Sequence, residues 1–498
     1  MGLLDIFRTK KEIAVRRQDK RSYAAAATGR LFADFVANTL SADSEIRPAL
    51  RPVRDRCRDV ARNNDYAARY LQMVTTNVVG STGVRTQVRG RNADKSLDTV
   101  GNLIIERNFD KWGARGVCTM DDKLSWLDCQ KMFINNVARD GECLVRFVET
   151  KENPYGFALQ FIESDYLDEQ YNMKATNNAN EIRMGVEINE FGRPVAYWLL
   201  ENHPGNTIYG KTATVKRIRV PAEEMLHLFI PDRAGQTRGF PWMATALTRL
   251  KMLDGYEEAE LVAARTAASK MGFFTSPDGD GYSGVDMEDY NTPIMEASPG
   301  TFEQLPKGME FTPFDPQHPV SAFGDFEKAV LRGIASGLGV SYVSLANNLE
   351  GVSYSSIRQG TMEDRDHYKV LQQFMIEHFI DPIYKKWLTM AMATGAIPLP
   401  ITKFDKFADN LVYRARGWNW IDPQREIQAH VIGLQNGIIT MQDIAANYGR
   451  DVEEVFEQID AETELAKQYG IQTAFQPFGQ KLPATPLVDG ENAAIQGD

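Results

Sequence analysis

The longest periodic apolar pattern in the chain lies late in it. Tyr368, Leu371, Met375 and Phe379 recur three or four residues apart, and Tyr384, Trp387, Leu388 and Ala391 carry the same face past Pro382. That spacing predicts one long helix. It should be bent or restarted at Pro382, which has no N–H for the interior ladder, and should end at Gly395. Ser356 stands three residues before Gln359, the capping-box pattern, and so marks the expected helix start. The crowded stretch "VSYSSIRQGTMEDRDHYK" therefore reads as the opening of a helix, not as a nucleophile with its acid–base partners.

The same periodicity over 51–79, with Val60, Ala67, Leu71 and Val74 on one face and Gly80 as a stop, predicts an earlier helix. Between 120 and 240 the pattern changes. "SWLDCQKMFINNVARDG" is helical, whereas "ECLVRFVET", "FALQFIE", "RPVAYWLLE" and "EMLHLFIPD" read as strands bounded by turns. A long helix follows from Trp242 to about Phe273, its second half rich in Ala and Ser, which lets neighbouring helices approach closely. Residues 274–322 are loop-rich, a helix is expected at 323–338, and three more at 423–434, 441–447 and 451–468. Residues 1–45 read as a flexible, Ala-rich, partly basic arm, and 471–498 as a disordered tail. The fold class is α+β, mostly helical, in several parts.

Composition narrows the functional classes. The chain has 498 residues, 43% hydrophobic and 25% charged, which suits packed domains rather than disorder. No apolar run approaches the ~20 residues that span a bilayer, so no membrane partner is expected. Cys57, Cys118, Cys129 and Cys143 form no CxxC pair, and the six histidines show no ligand spacing. A metal and a cofactor are accordingly not expected. The formal net charge is -11, the wrong sign for a protein that grips nucleic acid in a basic groove. An acidic wall that DNA slides past without sticking remains consistent with it.

Three motifs look like chemistry and fail on context. "GNTIYGKT" at 205–212 matches the phosphate-binding loop G-x-x-x-x-G-K-[ST]. Such a loop needs a helix N-terminus behind it, and here "ATVKRIRVP", closed by Pro221, is strand chemistry. "DGDGYSGVDMED" at 278–289 hints at a calcium loop, but Ser283 occupies the place that requires glycine and Asp289 the place of the bidentate Glu. "TMQDIAANYGRDVEEVFEQID" has the cadence of a helix-turn-helix with Thr440 and Asp443 as a capping box. Its second helix presents Asp451, Glu453, Glu454, Glu457 and Asp460, which repel a phosphate groove. The helix over 51–79 carries Arg54, Arg56, Arg58, Arg62 and Arg69, with Asp55, Asp59 and Asp65 interleaved. Phosphate binding and salt bridges between helices or subunits are both open, the interleaved acids favouring the second. No catalytic signature stands out, so no catalytic residue is assigned.

Three long stretches carry a resemblance. "ASGLGVSYVSLANNLEGVSYSSIRQGTMEDRDHYKVLQQFMIEHFIDPIYKKW", "RCRDVARNNDYAARYLQMVTTNVVGSTGVRTQ" and "GWNWIDPQREIQAHVIGLQNGIITMQDIAANYGRDVEEVFEQ" resemble the lambda-like tailed bacteriophage portal proteins, the head–tail connectors. The likeness runs from about residue 45 to 470 in the right order.

The resemblance implies a homo-oligomeric ring, a dodecamer, at one capsid vertex of the virion, after assembly in the host cytoplasm. It implies that double-stranded DNA is packaged and ejected through the channel of that ring. By the same resemblance the terminase large subunit docks first and head-completion proteins later, with capsid or scaffold proteins around the ring. Mapped here, 46–242 would be the wing, 243–271 and 323–340 the stem helices, 272–322 the clip, 341–356 the tunnel-loop region, 357–422 the long kinked helix and wing return, and 423–470 the crown. Candidates for the channel and tunnel loop are Asp325, Glu327, Lys328, Arg332, Asn347, Asn348 and Glu350. Lys328 and Arg332, one turn apart, either touch passing phosphates or pair with Asp325 and Glu327. Asp278, Asp280, Asp286 and Glu288 are the candidates for clip docking, and Ser356 with Gln359 for the structural cap. An ATPase built on 205–212 and another structural subunit of the capsid are the alternatives.

Overall fold

Where one helix was expected over 51–79, the backbone forms two. Helix α1 (Ala42–Asn63) and helix α2 (Asp65–Val78) are separated by Asn64 alone, which is extended at φ −123°, ψ 125°. Its N–H bonds the carbonyl of Val60 while its side chain accepts from the N–H of Ala67, so one residue closes the first helix and caps the second. Helix α1 also begins within the arm expected to be flexible, because Ser41 accepts from the Ser44 N–H and Asp43 and Glu45 occupy its electropositive first turn.

The computed structural model describes residues 30, 39–177, 179–206, 216–268, 272–275, 310–313, 323–350, 353–418, 423–447 and 452–471. After α2 come β1 (Arg85–Val88) and α3 (Thr99–Trp112), the latter capped by Asp98. Helix α4 (Trp126–Asp140) opens on a reciprocal Ser125–Asp128 capping box and ends at Gly141, whose φ of 91° suits glycine. Seven strands then follow: β2 (Cys143–Glu149), β3 (Phe157–Ile162), β4 (Glu181–Arg183), β5 (Val186–Ile188), β6 (Pro194–Leu200), β7 (Arg217–Pro221) and β8 (Met225–Leu228). They form two antiparallel sheets, of order β3-β2-β8 and β4-β5-β6-β7. Leu144, Val186, Tyr197, Leu199 and Val220 bury one core between the two sheets.

A 3-10 turn at Trp242–Thr245 leads into α5 (Leu247–Ala268), so the helix proper starts four residues after the expected 243. Strands β9 (Gly272–Thr275) and β10 (Glu310–Pro313) pair antiparallel, Gly272 opposite Pro313. Asp278, Asp280, Asp286 and Glu288 lie outside the described residues. Helix α6 (Phe323–Leu338) spans the expected range and is followed by α7 (Tyr342–Ala346).

Helix α8 (Tyr354–Met375) starts two residues before Ser356, which corrects the expected cap. The carbonyl of Ser353 already accepts from the Ile357 N–H at 3.0 Å, so Ser356 falls inside the first turn, and Gln359 donates its amide to Glu363 at 2.8 Å instead. At the proline the helix does not break. Ile376–Ile380 widens into a π turn with Asp381 N–H bonded to the Ile376 carbonyl, and α9 (Asp381–Ala393) restarts with Pro382 in its first turn, where no N–H is needed. The predicted apolar face is buried throughout, from Tyr368 to Ala391. Its rings join a cluster in which Phe109 lies 4.9 Å from Trp387, Trp112 5.8 Å from Phe157 and Phe133 4.5 Å from Phe379. Each such side chain withdrawn from water is worth about 1.5–3 kcal/mol, so the cluster contributes several times that amount to the stability of the unit. Short α10 (Phe404–Ala408) and β11 (Leu411–Arg414) complete it, with β11 returning to pair β1.

Residues from Gly417 onward form a second compact unit. It holds α11 (Pro423–Gln435), α12 (Met441–Asn447) and α13 (Val452–Gln468). Thr440 and Asp443 make the expected box, with bonds of 2.8 and 3.1 Å.

Candidate functional site

Helices α5 and α6 run antiparallel. The Thr245 hydroxyl donates to the Gly337 carbonyl at 2.6 Å near one end, and the Tyr256 ring meets Phe326 at 5.2 Å toward the other. Of the four candidates on α6, the 100° helical step puts Asp325, Lys328 and Arg332 on one face and turns Glu327 away from them. Asp325 and Arg332 are exposed and Lys328 is half-buried. Arg332 sits over the Tyr342 ring at 5.5 Å. Among the described residues no ion pair ties Lys328 or Arg332 to Asp325 or Glu327.

Glu327 instead belongs to the junction of α2, α5 and α6. The Tyr66 hydroxyl lies 3.0 Å from Glu257 Oε1 and 3.4 Å from Glu327 Oε1. One phenolic proton thus faces two carboxylates. Burial pushes the Glu257 carboxyl above its usual range, and the charges of Glu327, Asp254 and Asp65 add to the push against the Tyr66 hydrogen bond.

The segment after α6 is held at its base. Asp364 accepts from Ser341 N at 2.8 Å, from the Ser341 hydroxyl at 2.7 Å and from the Ser344 hydroxyl at 3.0 Å. Asn347 ends α7 at φ 51°, a left-handed conformation asparagine tolerates. Asn348 faces inward, its amide donating to the Tyr342 hydroxyl at 3.2 Å while its carbonyl oxygen accepts from Glu350 N at 2.9 Å. The exposed tip is therefore Asn347, Glu350 and Leu349, the last 63% exposed and not among the sequence candidates.

Two arginines of α1, Arg54 and Arg58, find their partners inside the chain. Glu142 is fully buried and accepts from Arg54 at 2.8 Å, from Arg238 Nε at 2.9 Å and from Gly239 N at 3.0 Å, with His227 at 2.8 Å. Arg58 bonds Asp140 at 2.9 Å and also reaches Asp165, which Arg54 meets at 3.3 Å. Burial acts to raise all three carboxyls, but the guanidinium groups outweigh it. They hold Asp140 and Asp165 below the usual range and, with the His227 hydrogen bond, hold Glu142 well below it. Burial lowers His227 in turn, against the pull of Glu142. The interleaved acids on α1 take no part. The sequence signal for this knot was a charged residue beside a glycine at two turns, Gly141–Glu142 and Arg238–Gly239.

Of the 205–212 motif only Gly205 and Asn206 lie among the described residues. The next described element is β7, a strand and not the helix a phosphate-binding loop needs. Glu163, Asp165 and His203 each bring one ligand atom within 4.8 Å of the others. Arg58 already pairs with both carboxylates, supplying the charge a cation would bring.

The family of phage portal proteins, lambda family, matches residues 28–372. A probable portal protein of Halomonas phage phiHAP-1 is 36% identical over 461 residues, covering 91% of this chain and 88% of the relative. The portal protein of Escherichia phage N15 is 24% identical, covering 84% and 85%. Portal protein B of Escherichia phage lambda is 23% identical, covering 87% of each. Among solved structures, a chain from the neck of a native gene transfer agent particle overlaps at a TM-score of 0.40 with 13% identity, over 85% of this chain and 99% of that one.

Proposed function

The chain belongs to the lambda family of phage portal proteins, and we propose that it forms a closed ring of about a dozen copies at one vertex of a phage capsid, through which double-stranded DNA enters and leaves. The antiparallel pair α5 and α6 is the stem, the region between β9 and β10 the clip, the 341–356 segment the tunnel loop, and the unit from Gly417 the crown. The terminase docks on the clip first and the head-completion proteins later. The role is structural, with no bond made or broken by the chain.

The observation that carries this reading is the face of α6. Asp325, Lys328 and Arg332 stand on one side of a helix whose opposite side is fastened to α2 and α5 through Tyr66 and Leu331 and Ile334 are buried. That leaves a mixed-charge row with no ion pair among the described residues, Arg332 resting on the Tyr342 ring. In a ring whose copies each carry -11, such a row gives passing phosphates brief contacts on an otherwise repelling wall. The test is a phage carrying Lys328→Glu with Arg332→Glu. Particles should assemble with rings of normal mass yet hold less DNA. Full packaging and ejection by that variant would remove the row from the channel.

A further inference from the structure

Beside the buried knot, the surface formed by α1, α2 and α4 holds a depression of about 670 Å³. Arg58, Arg62, Lys131 and Arg139 line it against a single acid, Glu163. Arg58 and Arg139 are neutralised from behind by Asp140 and Asp165. Arg62 and Lys131 have no ion pair among the described residues. The acids three residues before them form no ion pair with them: Asp59 accepts from Asn63 at 2.8 Å, and Asp128 accepts from Ser125 at 2.7 Å while feeling the Lys131 charge.

Charge counting over the knot and the depression makes the imbalance explicit. Arg54, Arg58, Arg139 and Arg238 are matched by Asp140, Glu142, Glu163 and Asp165, which leaves Arg62 and Lys131 as the lining cations without an ion pair among the described residues. Neutral donors stand beside them. The Asn135 amide has no hydrogen bond among the described residues, and Gln72 uses only its carbonyl oxygen, toward Arg69. The hollow offers two cations without an ion pair and neutral amide donors beside its one acid, Glu163, in a chain that is acidic overall.

The geometry points to a phosphate site: this depression binds a phosphate group through Arg62 and Lys131, with Asn135 and Gln72 as neutral donors. Two cations without an ion pair suit one phosphate near neutral pH, which carries about −1.5 to −2, or two successive phosphodiesters, better than they suit a single carboxylate. The site is separate from the α6 face, so it stands or falls apart from the channel reading.

The test uses the full-length assembled protein and its Arg62→Ala, Lys131→Ala double variant. Both positions are at least partly exposed, so the fold and the ring mass should be unchanged. Calorimetric titration with inorganic phosphate should show binding by the unaltered protein and at least a tenfold loss in the variant. A short duplex with dephosphorylated ends separates the two sources. If the variant's duplex affinity falls and its salt slope drops by about 1.8 per site, the phosphates are those of a DNA backbone. If duplex binding is unchanged while phosphate binding is lost, the ligand is a free phosphate. Equal phosphate binding by both proteins, or none by either, overturns the proposal. So does a variant that melts normally but no longer forms rings, since the two cations would then face the carboxylates of a second copy.

Discussion

Arg238 and Glu142 are both buried completely, with Nε of the one 2.9 Å from Oε2 of the other, and they join the end of α4 to the residues that lead into α5. Around them Gly141 and Gly239 come so close that a Cβ on either would collide with the backbone of the opposite segment. A helix pair that must hold its angle in a ring is thus rooted in a charged knot with every strong donor matched. Buried ion pairs add little net stability over an apolar core, but breaking one is expensive. The knot is better understood as fixing where α5 leaves the sheets than as glue.

Glu142→Gln should therefore destabilise the first unit by about 3–5 kcal/mol, because Arg238 keeps its charge without a counter-ion and Arg54 is left with Asp165 alone. Urea unfolding followed by tryptophan fluorescence checks this. Glu142→Met combined with Arg238→Met should lose much less than the sum of the single changes. Additive losses would show that the two residues do not act as a pair.

Acid should weaken the same region. Asp140, Glu142 and Asp165 have folded pKa values below their unfolded ones, so their contribution is present above about pH 4 and lost as the pH falls through the folded values. His227 is held neutral by burial, so the unfolded chain takes up its proton first, and stability starts to fall below about pH 6.5. Glu257, with a raised folded pKa, acts in the opposite sense from a more exposed position. The melting midpoint should be flat between about pH 7 and 8, decline below about 6.5 and drop steeply below about 4; it should also fall above about 8.5, where the unfolded chain ionises thiols that burial keeps neutral at Cys57 and Cys143. A midpoint that rises on acidification below about pH 7 would contradict the account of the knot.

Two glycines should respond in opposite directions to alanine. At Gly239 the new methyl meets the Gly141 carbonyl and the side chains of Phe229 and Glu142, an overpacking worth about 1–3 kcal/mol of destabilisation. At Gly255, inside α5, it meets nothing within 4 Å, and alanine should stabilise the isolated subunit by about 0.5–1 kcal/mol. Thermal melts of the two variants beside the unaltered chain decide the matter.

Asp364→Ala removes the acceptor shared by Ser341 N and the hydroxyls of Ser341 and Ser344. The expected loss is about 1–3 kcal/mol, concentrated at the segment after α6. Hydrogen exchange should quicken across residues 341–350 and leave β2 and β3 unchanged. Uniform exchange in the variant would mean that Asp364 does not hold that segment.

Much of this architecture was legible because apolar spacing records burial directly. The face from Tyr368 to Ala391, the limits of α6 and the helices after residue 423 follow from it. Helix α3 carries the same kind of signal, with Asp98 as a cap and Ile105, Phe109 and Trp112 in step. Other features depend on partners far away along the chain. Arg54 looks like a surface arginine until Glu142 and Asp165 fold over it from 88 and 111 residues away. The break at Asn64 turns on one side chain replacing a backbone bond, which periodicity does not register. The candidates on α6 and its following loop came from resemblance and spacing, which do not say where a side chain points. Glu327 and Asn348 proved to face inward, and Leu349 to face out.

The most direct test of the central claim is the assembled mass of the purified chain, measured with averaged electron micrographs of the same sample over a range of concentrations. A closed ring of about a dozen subunits around a central hole is the predicted result. Monomers at every concentration, together with ATP hydrolysis that Lys211→Ala abolishes, would contradict it and return attention to the glycine-rich motif at 205–212.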